Sequence, residues 1–301
     1  MLCETINNVE TFEPNHATQR KTEKRLARTT LPNFSKATSS RLLGFDGPHA
    51  LETRFLVTKD YEAMSQTASA LLVEEIRNRP SLLLCASTGS SPTETYRLLA
   101  EHRRNDPTLF QYLRIIKLDE WGGLDMDDPG TCEHYLREHL VGPLEVPEER
   151  YLAFRSDPKD PEAECRRIQT ALLRQGPIDV CVLGLGRNGH IALNEPASTL
   201  RRFAHVADLS PSSLQHAMLQ KGRQKPQFGL TLGMADILRS RMILLLISGS
   251  QKREVMRSFL QSRVDSQFPG SFLWLHRNLI CICDEAATEG LEVSSFGPML
   301  S

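Results

Sequence analysis

The sequence has no excess of positive charge and no long apolar run. Its 301 residues carry 36 Lys and Arg against 37 Asp and Glu, a formal net charge of −1 at pH 7. Because binding to phosphate backbones needs a clustered positive excess, this balance argues against a nucleic-acid partner. No apolar run approaches the ~20 residues that span a bilayer. The N-terminal stretch MLCETINNVETF also lacks the apolar core of a secretory signal, so we expect no membrane partner.

Cysteine pairs with the spacing of a zinc site are missing as well. The chain has 7 Cys, none of them in a CxxC pair, and most lie in apolar runs such as LICIC (279–283). Buried thiols of this kind are typical of cytosolic proteins, where disulfides do not persist. We therefore expect a cytoplasmic protein without a bound metal.

The first 47 residues differ in pattern from the rest of the chain. QRKTEKRLARTT is charged, SKATSS is small and polar, and neither a helical nor a strand period holds for long. This composition predicts a poorly ordered N-terminal extension over residues 1–47. Neither a linker rich in Pro, Gly or Ser nor a fixed-period repeat follows residue 50, which predicts a single domain over 48–301.

From about Phe55 onward, short apolar runs alternate with amphipathic segments. The predicted strands are 81–87, 113–118, 178–185, 241–248 and 279–283. The predicted helices are 59–78, 92–103, 131–140, 160–175 and 250–260. Nearly unbroken hydrophobicity is typical of strands that are buried on both faces of a parallel sheet. The alternation predicts an α/β fold with three layers: an open, mostly parallel, Rossmann-like sheet with helices on both faces.

Ligands of such sheets bind outside the carboxyl ends of the strands, so the loops after the strands are the places to search. The segment STGSSPT (87–93) joins a strand to a helix. Its exposed amides and the positive end of the helix dipole favour a phosphate. Candidate ligands there are Thr88, Gly89, Ser90, Ser91 and Thr93. An ordinary helix start without a ligand is the alternative.

Three further loops carry polar groups at the same edge. Asp119 and Glu120 end a buried strand, where a desolvated carboxylate can be a general base or simply an ion-pair partner. The segment GLGRNGHIALNEP (184–196) follows the next strand. Its Gly186 lets backbone amides approach a ligand. His190 is a candidate proton shuttle, and Glu195 could orient the ring of His190. In SGSQK (248–252), Lys252 could reach an anion.

Together these motifs resemble the glucosamine-6-phosphate deaminase/isomerase family, from about Phe55 to Cys283. The segments that carry the resemblance are LDEW, PGTCEHYLREHL, LGLGRNGHIALNEP, GLTLGMADIL and SFLWLH. They look most similar to the bacterial galactosamine-6-phosphate deaminase branch. The 6-phosphogluconolactonases of the same superfamily usually carry a PDGHTASLFP-like segment instead, so NEP (194–196) favours the deaminases.

The resemblance implies ring opening and aldose-to-ketose isomerisation that ends in loss of ammonia. It implies that His190 is the ring-opening acid and base, that Glu195 orients it, and that Asp119 moves a proton from C2 to C1. Loop 88–93 and Lys252 match the phosphate anchors, and no metal or organic cofactor is implied. The leading hypothesis is conversion of galactosamine 6-phosphate to tagatose 6-phosphate; the same reaction on glucosamine 6-phosphate, giving fructose 6-phosphate, is the nearest alternative.

Two positions depart from the family pattern. Asn188 stands where glucosamine-6-phosphate deaminases usually have an Asp that completes the proton relay, and an amide cannot carry a proton at neutral pH. The galactosamine branch also carries Asn there. The family's phosphate-binding Arg falls near Leu219, and Arg223 is the nearest substitute. A lactone hydrolase and an inactive sugar-phosphate sensor remain as alternatives, and a homo-oligomer is possible, since the family ranges from monomers to hexamers.

Overall fold

The computed structural model describes residues 52–293. The predicted extension over residues 1–47 lies outside these residues. Ten strands are described: β1 (Glu52–Thr58), β2 (Leu83–Ala86), β3 (Arg114–Lys117), β4 (Asp119–Gly122), β5 (Tyr151–Leu152), β6 (Val180–Gly184), β7 (His205–Ala207), β8 (Phe228–Thr231), β9 (Met242–Ile247) and β10 (Asn278–Asp284). The helices are α1 (Tyr61–Asn78), α2 (Ser90–Asn105), α3 (Cys132–Leu136), α4 (Pro161–Gln175), α5 (Met234–Leu238), α6 (Arg253–Leu260) and α7 (Glu285–Thr288).

Seven of the strands form one parallel sheet in the order β1-β10-β9-β6-β2-β3-β5. Alternate residues of its strands belong to two different apolar clusters. Leu245 and Cys283 pack with α4 and α6 on one face, and Leu244 and Ile282 pack with α1 and α2 on the other. Burial on both faces explains the unbroken apolar runs. The expected α/β fold with helices on both faces of a mostly parallel sheet is thus confirmed.

The sequence interpretation missed a second, smaller sheet. The sequence predicted a loop at residues 119–122, but these residues form the strand β4. Strand β4 pairs antiparallel with β8, and β8 pairs antiparallel with β7. The local sequence DEWG has no apolar alternation, so main-chain bonding to β8 decides its conformation. The edge strands β1 and β5 of the large sheet were not predicted either.

Two predicted helices are less regular than expected. The segment 131–140 begins as α3 and continues as a π-helical turn over Arg137–Val141. The segment 250–260 begins with a 3₁₀ turn over Ser250–Lys252, and α6 starts only at Arg253. The second of these turns is part of the candidate loop 248–252.

The strand order creates a crevice between β2 and β6. From β2 the chain moves outward to β3 and β5 and then returns to β6 and β9 on the other side. At such a reversal the loops diverge and leave room for a ligand at the carboxyl ends of the strands. Among residues 52–293, the helices are too short or too polar to cross a membrane.

Candidate active site

Asp119 opens β4, separated from the end of β3 by the single residue Leu118. Its side chain is buried, with 9% of the residue exposed, and Oδ1 accepts no hydrogen bond from any described group. Burial, helped by the negative charge of Glu120, raises the pKa of Asp119 from 3.8 to about 7, although Lys117 opposes the rise. A carboxylate with this pKa can take up and release a proton near neutral pH.

The neighbouring Glu120 does not share this freedom, because it is held in a buried ion-pair network. Lys117 Nζ donates to Glu120 Oε2 at 2.6 Å and to Glu133 Oε2 at 2.8 Å. Glu120 also accepts from the amides of Trp121, Cys132 and Glu133 at 2.7–2.9 Å. The two adjacent carboxylates therefore have different tasks: Glu120 anchors the start of α3, and Asp119 is left without a partner for Oδ1.

Strand β8 connects Asp119 to the loop that carries His190 and Glu195. Asp119 lies opposite Thr231 in the β4–β8 pair, and Thr231 Oγ1 accepts from Leu193 N at 3.3 Å. Asn194 Nδ2 donates to Leu232 O at 2.9 Å and to Ile191 O at 3.1 Å. The buried Asn194 of the NEP segment is thus a structural clamp that fastens the loop to β8.

His190 and Glu195 are neighbours within this loop, as expected from the sequence. His190 Nδ1 lies 3.4 Å from Glu195 Oε2, within ion-pair distance, although the two atoms do not form a hydrogen bond of normal geometry. Burial alone would raise the pKa of Glu195, but His190, Ser213 and Asn188 together lower it to about 2. Glu195 is therefore an ionised carboxylate that can orient the ring of His190.

Asn188 takes part in the same cluster. Its Nδ2 donates to Glu195 Oε2 at 2.8 Å and to Ser212 Oγ at 3.3 Å, and its Oδ1 accepts from the amide of His190 at 3.2 Å. On the other carboxylate oxygen, Ser210 Oγ donates to Glu195 Oε1 at 3.0 Å, and Ser213 Oγ donates to the same oxygen. The amide at 188 positions the pair without being able to exchange a proton itself.

Gly186 is required by the position of the His190 ring. A β-carbon at residue 186 would lie 2.3–2.5 Å from three ring atoms of His190. The backbone also closes a turn here, since Gly186 N donates to His190 O at 3.0 Å. Any side chain at this position would push the imidazole away from where the loop holds it.

The predicted phosphate loop joins β2 to α2 and faces the end of β6. Gly89 has φ of 104°, a conformation that favours glycine, and α2 begins at the next residue without a side-chain cap. Thr93 Oγ1 donates to Gly89 O at 2.9 Å and contacts Tyr135 OH at 2.8 Å, whereas Thr88 Oγ1 lies 3.5 Å from Cys132 Sγ. The loop is thus braced from α3, and the first amides of α2 are not used by a side chain.

Ser90 and Ser91 begin α2 from this loop. The carbonyl of Ser90 accepts from Tyr61 OH at 2.6 Å. Ser91 Oγ lies 3.8 Å from the point that a β-carbon on Gly184 would occupy. The loops after β2 and β6 are therefore close together at the reversal point of the sheet, and both lie at the one edge that the sequence predicted for them.

Lys252 reaches the same region from the loop after β9. Asp284, at the end of β10, accepts from Ser248 Oγ and from the amide of Gly249, which fixes this turn. Lys252 Nζ donates to the carbonyl of Leu185, and burial, together with the charge of Arg187, lowers the pKa of Lys252. The ammonium group is therefore held beside the 184–196 loop rather than extended into solvent.

Arg223 has other partners. Its Nη2 donates to Asp127 Oδ1 at 2.5 Å, its amide donates to Asp128 Oδ2 at 2.9 Å, and 54% of its side chain is exposed. These contacts tie it to the acidic loop after β4. Its role as a phosphate ligand stays a prediction.

Several residues of the site had no sequence signal. Ser210, Ser213 and His216 come from the segment between β7 and β8, which has neither a helical nor a strand period. Lys117 and Glu133 looked like ordinary strand and helix residues, and only the fold brings them to Glu120. A pattern search finds residues that follow strands, but it cannot find those that a folded-back loop contributes.

Comparison with known proteins identifies the family. The family model for glucosamine-6-phosphate isomerases and 6-phosphogluconolactonases matches residues 59–281. The chain belongs to this family. Several deaminases are similar to this chain. AgaI of Escherichia coli strain K12, named as a deaminase, is 41% identical over 74% of this chain and 89% of its own length. The glucosamine-6-phosphate deaminase of Geobacillus sp. strain WCH70 is 34% identical over 78% of this chain and 94% of its own.

Solved structures of the family agree with the fold. A monomeric glucosamine-6-phosphate deaminase is 33% identical, with a TM-score of 0.74 over 78% of this chain and 98% of the other. The 6-phosphogluconolactonase of Trypanosoma brucei is 20% identical, with a TM-score of 0.61 over 81% of this chain and 100% of the other. The second likeness concerns the fold alone. The first, like the sequence relatives, agrees with membership of this family.

Proposed function

We propose that this protein converts galactosamine 6-phosphate to tagatose 6-phosphate and ammonia. The observation that carries the chemistry is Asp119, a buried carboxyl group with one unpartnered oxygen and a pKa of about 7. It stands at the same edge of the sheet as a histidine with an ionised carboxylate beside it. Removal of a proton from a carbon atom needs a base such as Asp119, and opening of the sugar ring needs a group such as the histidine that moves a proton to the ring oxygen.

The proposed reaction begins with ring opening. His190, oriented by Glu195, moves a proton between the anomeric hydroxyl and the ring oxygen and thereby opens the pyranose to the aldehyde. Ionised Asp119 then takes the proton from C2 while O1 gains a proton, which gives an enolamine. Asp119 returns its proton to C1, and the amino nitrogen loses one proton. The resulting 2-imine adds one water molecule and releases ammonia, which leaves the ketose 6-phosphate. Because the last step hydrolyses a C–N bond, we propose that the enzyme is also a hydrolase in the formal sense.

The candidate anchors for the substrate phosphate are the amides and hydroxyls of Thr88, Gly89, Ser90, Ser91 and Thr93, with Lys252 as the cation. The helix dipole of α2 and its unused first amides favour an anion at this position. We propose that the amide of Gly186 lies on the sugar side of the same crevice. No step of this sequence needs a metal or an organic cofactor.

The preference for the galacto epimer is supported by Asn188. This residue holds Glu195 and the His190 backbone through both ends of its amide, and it matches the galactosamine branch in the sequence resemblance. Glucosamine 6-phosphate is the second candidate substrate, because relatives at 34% and 33% identity are named for it. The two sugars differ only in configuration at C4.

Ammonia release tests the proposal directly. The purified full chain is assayed with galactosamine 6-phosphate and with glucosamine 6-phosphate, and we expect a higher kcat/KM for the galacto epimer. A higher value for the gluco epimer would overturn the substrate assignment but keep the reaction. Acid release from 6-phosphogluconolactone without ammonia from either amino sugar would point to the hydrolase alternative, and tight binding without turnover would point to a sensor.

A further inference from the structure

The segment between β7 and β8 brings a second histidine to the candidate phosphate loop. His216 Nε2 lies 3.5 Å, and its Cε1 3.8 Å, from the point that a β-carbon on Gly89 would occupy. These are the nearest neighbours of that point, on the side where glycine leaves the backbone open. The outer edge of the imidazole therefore faces the candidate phosphate loop, from which α2 begins without a side-chain cap.

The orientation of the ring is set from its other side. His216 Nδ1 accepts a hydrogen bond from the amide of Met218 at 3.3 Å and thereby caps the 3₁₀ turn Ala217–Lys221. The ring of Trp121 packs against it with centroids 5.9 Å apart. Because Nδ1 is an acceptor, the neutral ring carries its hydrogen on Nε2. The atom that faces Gly89 is thus a hydrogen-bond donor.

The electrostatic surroundings keep this donor neutral. Burial first, and then the fields of His190 and Lys252, lower the pKa of His216. These two groups are the candidate proton shuttle and phosphate anchor, so His216 stands within range of both. A neutral N–H donor beside a buried ammonium suits an anion that has to be bound and released.

The position expected to supply a cation does not do so. Leu219, where the resemblance puts an Arg, packs against the apolar cluster of Trp121, Leu124 and Cys132. Arg223 is bonded to Asp127 and Asp128. Neither residue therefore offers a cation to loop 88–93. Thr93 and Tyr135 hydroxyls donate to the carbonyl of Gly89, whereas His216 is the side chain that faces the open α-carbon of Gly89.

We propose that His216 is a phosphate ligand of this enzyme, donating from Nε2 to the substrate phosphate held by loop 88–93 and Lys252. This inference rests on the proposed function for the identity of the anion. It assigns to a neutral imidazole the place that an arginine has in the family pattern.

Two substitutions separate a ligand from a structural residue. His216→Gln keeps a donor at about the reach of Nε2, whereas His216→Asn keeps an acceptor near Nδ1 for the Met218 amide and loses the outer donor. If His216 binds phosphate, Gln is tolerated and Asn is not. If His216 only caps the 3₁₀ turn, His216→Asn is tolerated and His216→Gln is not. His102→Gln is the matched control, because His102 lies near the far end of α2, about 20 Å along the helix from Gly89.

The measurement is calorimetric titration of each full-length variant with inorganic phosphate, which does not depend on turnover. We expect a dissociation constant raised at least about tenfold in His216→Asn, and within about threefold of the unsubstituted protein in His216→Gln and His102→Gln. In the ammonia assay, KM should rise in His216→Asn by a similar factor while kcat changes less. If no amino sugar phosphate is turned over, the titration still tests the ligand.

Unchanged phosphate affinity in His216→Asn would overturn the proposal. So would a loss of affinity in Arg223→Ala alone, which would return the role to the guanidinium. A His216→Gln variant as weak as His216→Asn, with normal urea unfolding in both, would also overturn it, because the donor at that reach would then have no effect.

Discussion

Replacing Asp119 by asparagine should remove activity and yet change stability in a pH-dependent way that favours the variant at alkaline pH. The folded protein retains the Asp119 proton up to about pH 7, while the ordinary carboxyl value is 3.8. Between these values the native state binds more protons than the unfolded chain. Stability therefore falls as the pH rises through this window, and Asp119 costs most when it is ionised.

The size of the effect follows from the same two values. A rise from 3.8 to about 7 corresponds to roughly 4 kcal/mol of lost stability once the pH is above both. Between pH 5 and pH 8, the contribution of Asp119 to the free energy of unfolding falls by roughly 2.5 kcal/mol. Asparagine does not ionise, and its costs of packing and of an unpaired amide are the same at both pH values. The difference between variant and unsubstituted protein should therefore shift in favour of Asp119→Asn by this amount.

Urea unfolding at pH 5 and pH 8, followed by circular dichroism, measures this shift. Asp208→Asn, at an exposed aspartate, is the control for general charge effects. An equal stability difference at both pH values would refute the reasoning, because the carboxyl would then not be protonated in the folded state at pH 5. In the same samples, Asp119→Asn should bind sugar phosphate but exchange no C2 hydrogen with solvent. Normal turnover would remove Asp119 from the role of base.

Three other substitutions test the supports of the site. Gly186→Ala should lower kcat at least about tenfold, because the new methyl group displaces the His190 ring. The affinity for inorganic phosphate should stay unchanged. A normal kcat would show that the position of the His190 ring does not matter. Glu195→Gln should lower kcat/KM about 100-fold or more in the ammonia assay, since the ring loses its ionised partner, and an unaltered rate would contradict that role. Lys117→Met should lower the free energy of unfolding by about 3–5 kcal/mol in urea, because buried Glu120 loses its cation and Glu133 keeps only Arg137. A loss below about 1 kcal/mol would contradict a stabilising role for this ion-pair network.

The sequence alone was enough for the central strands of the large sheet and for the edge at which the candidate site lies. Strands such as LICIC and RMILLLIS are buried on both faces, so their apolar runs are unbroken and need no tertiary context to be recognised. Parallel strands bring their carboxyl ends to one edge, and the loops carrying Thr88, His190 and Lys252 follow from that rule. The pairing of His190 with Glu195 was also predictable, because both residues belong to one short loop.

Tertiary structure decided what the local pattern could not contain. DEWG becomes a strand because β8, more than 100 residues later, supplies its hydrogen-bond partners. The roles of Asp119 and Glu120 differ only because Lys117 and the amides at the start of α3 reach one carboxylate and not the other. His216 lies at Gly89 because the segment before β8 folds back over the crevice. Local sequence determines period and turn chemistry, whereas burial and the choice of partner depend on which distant groups the fold brings within a few ångströms.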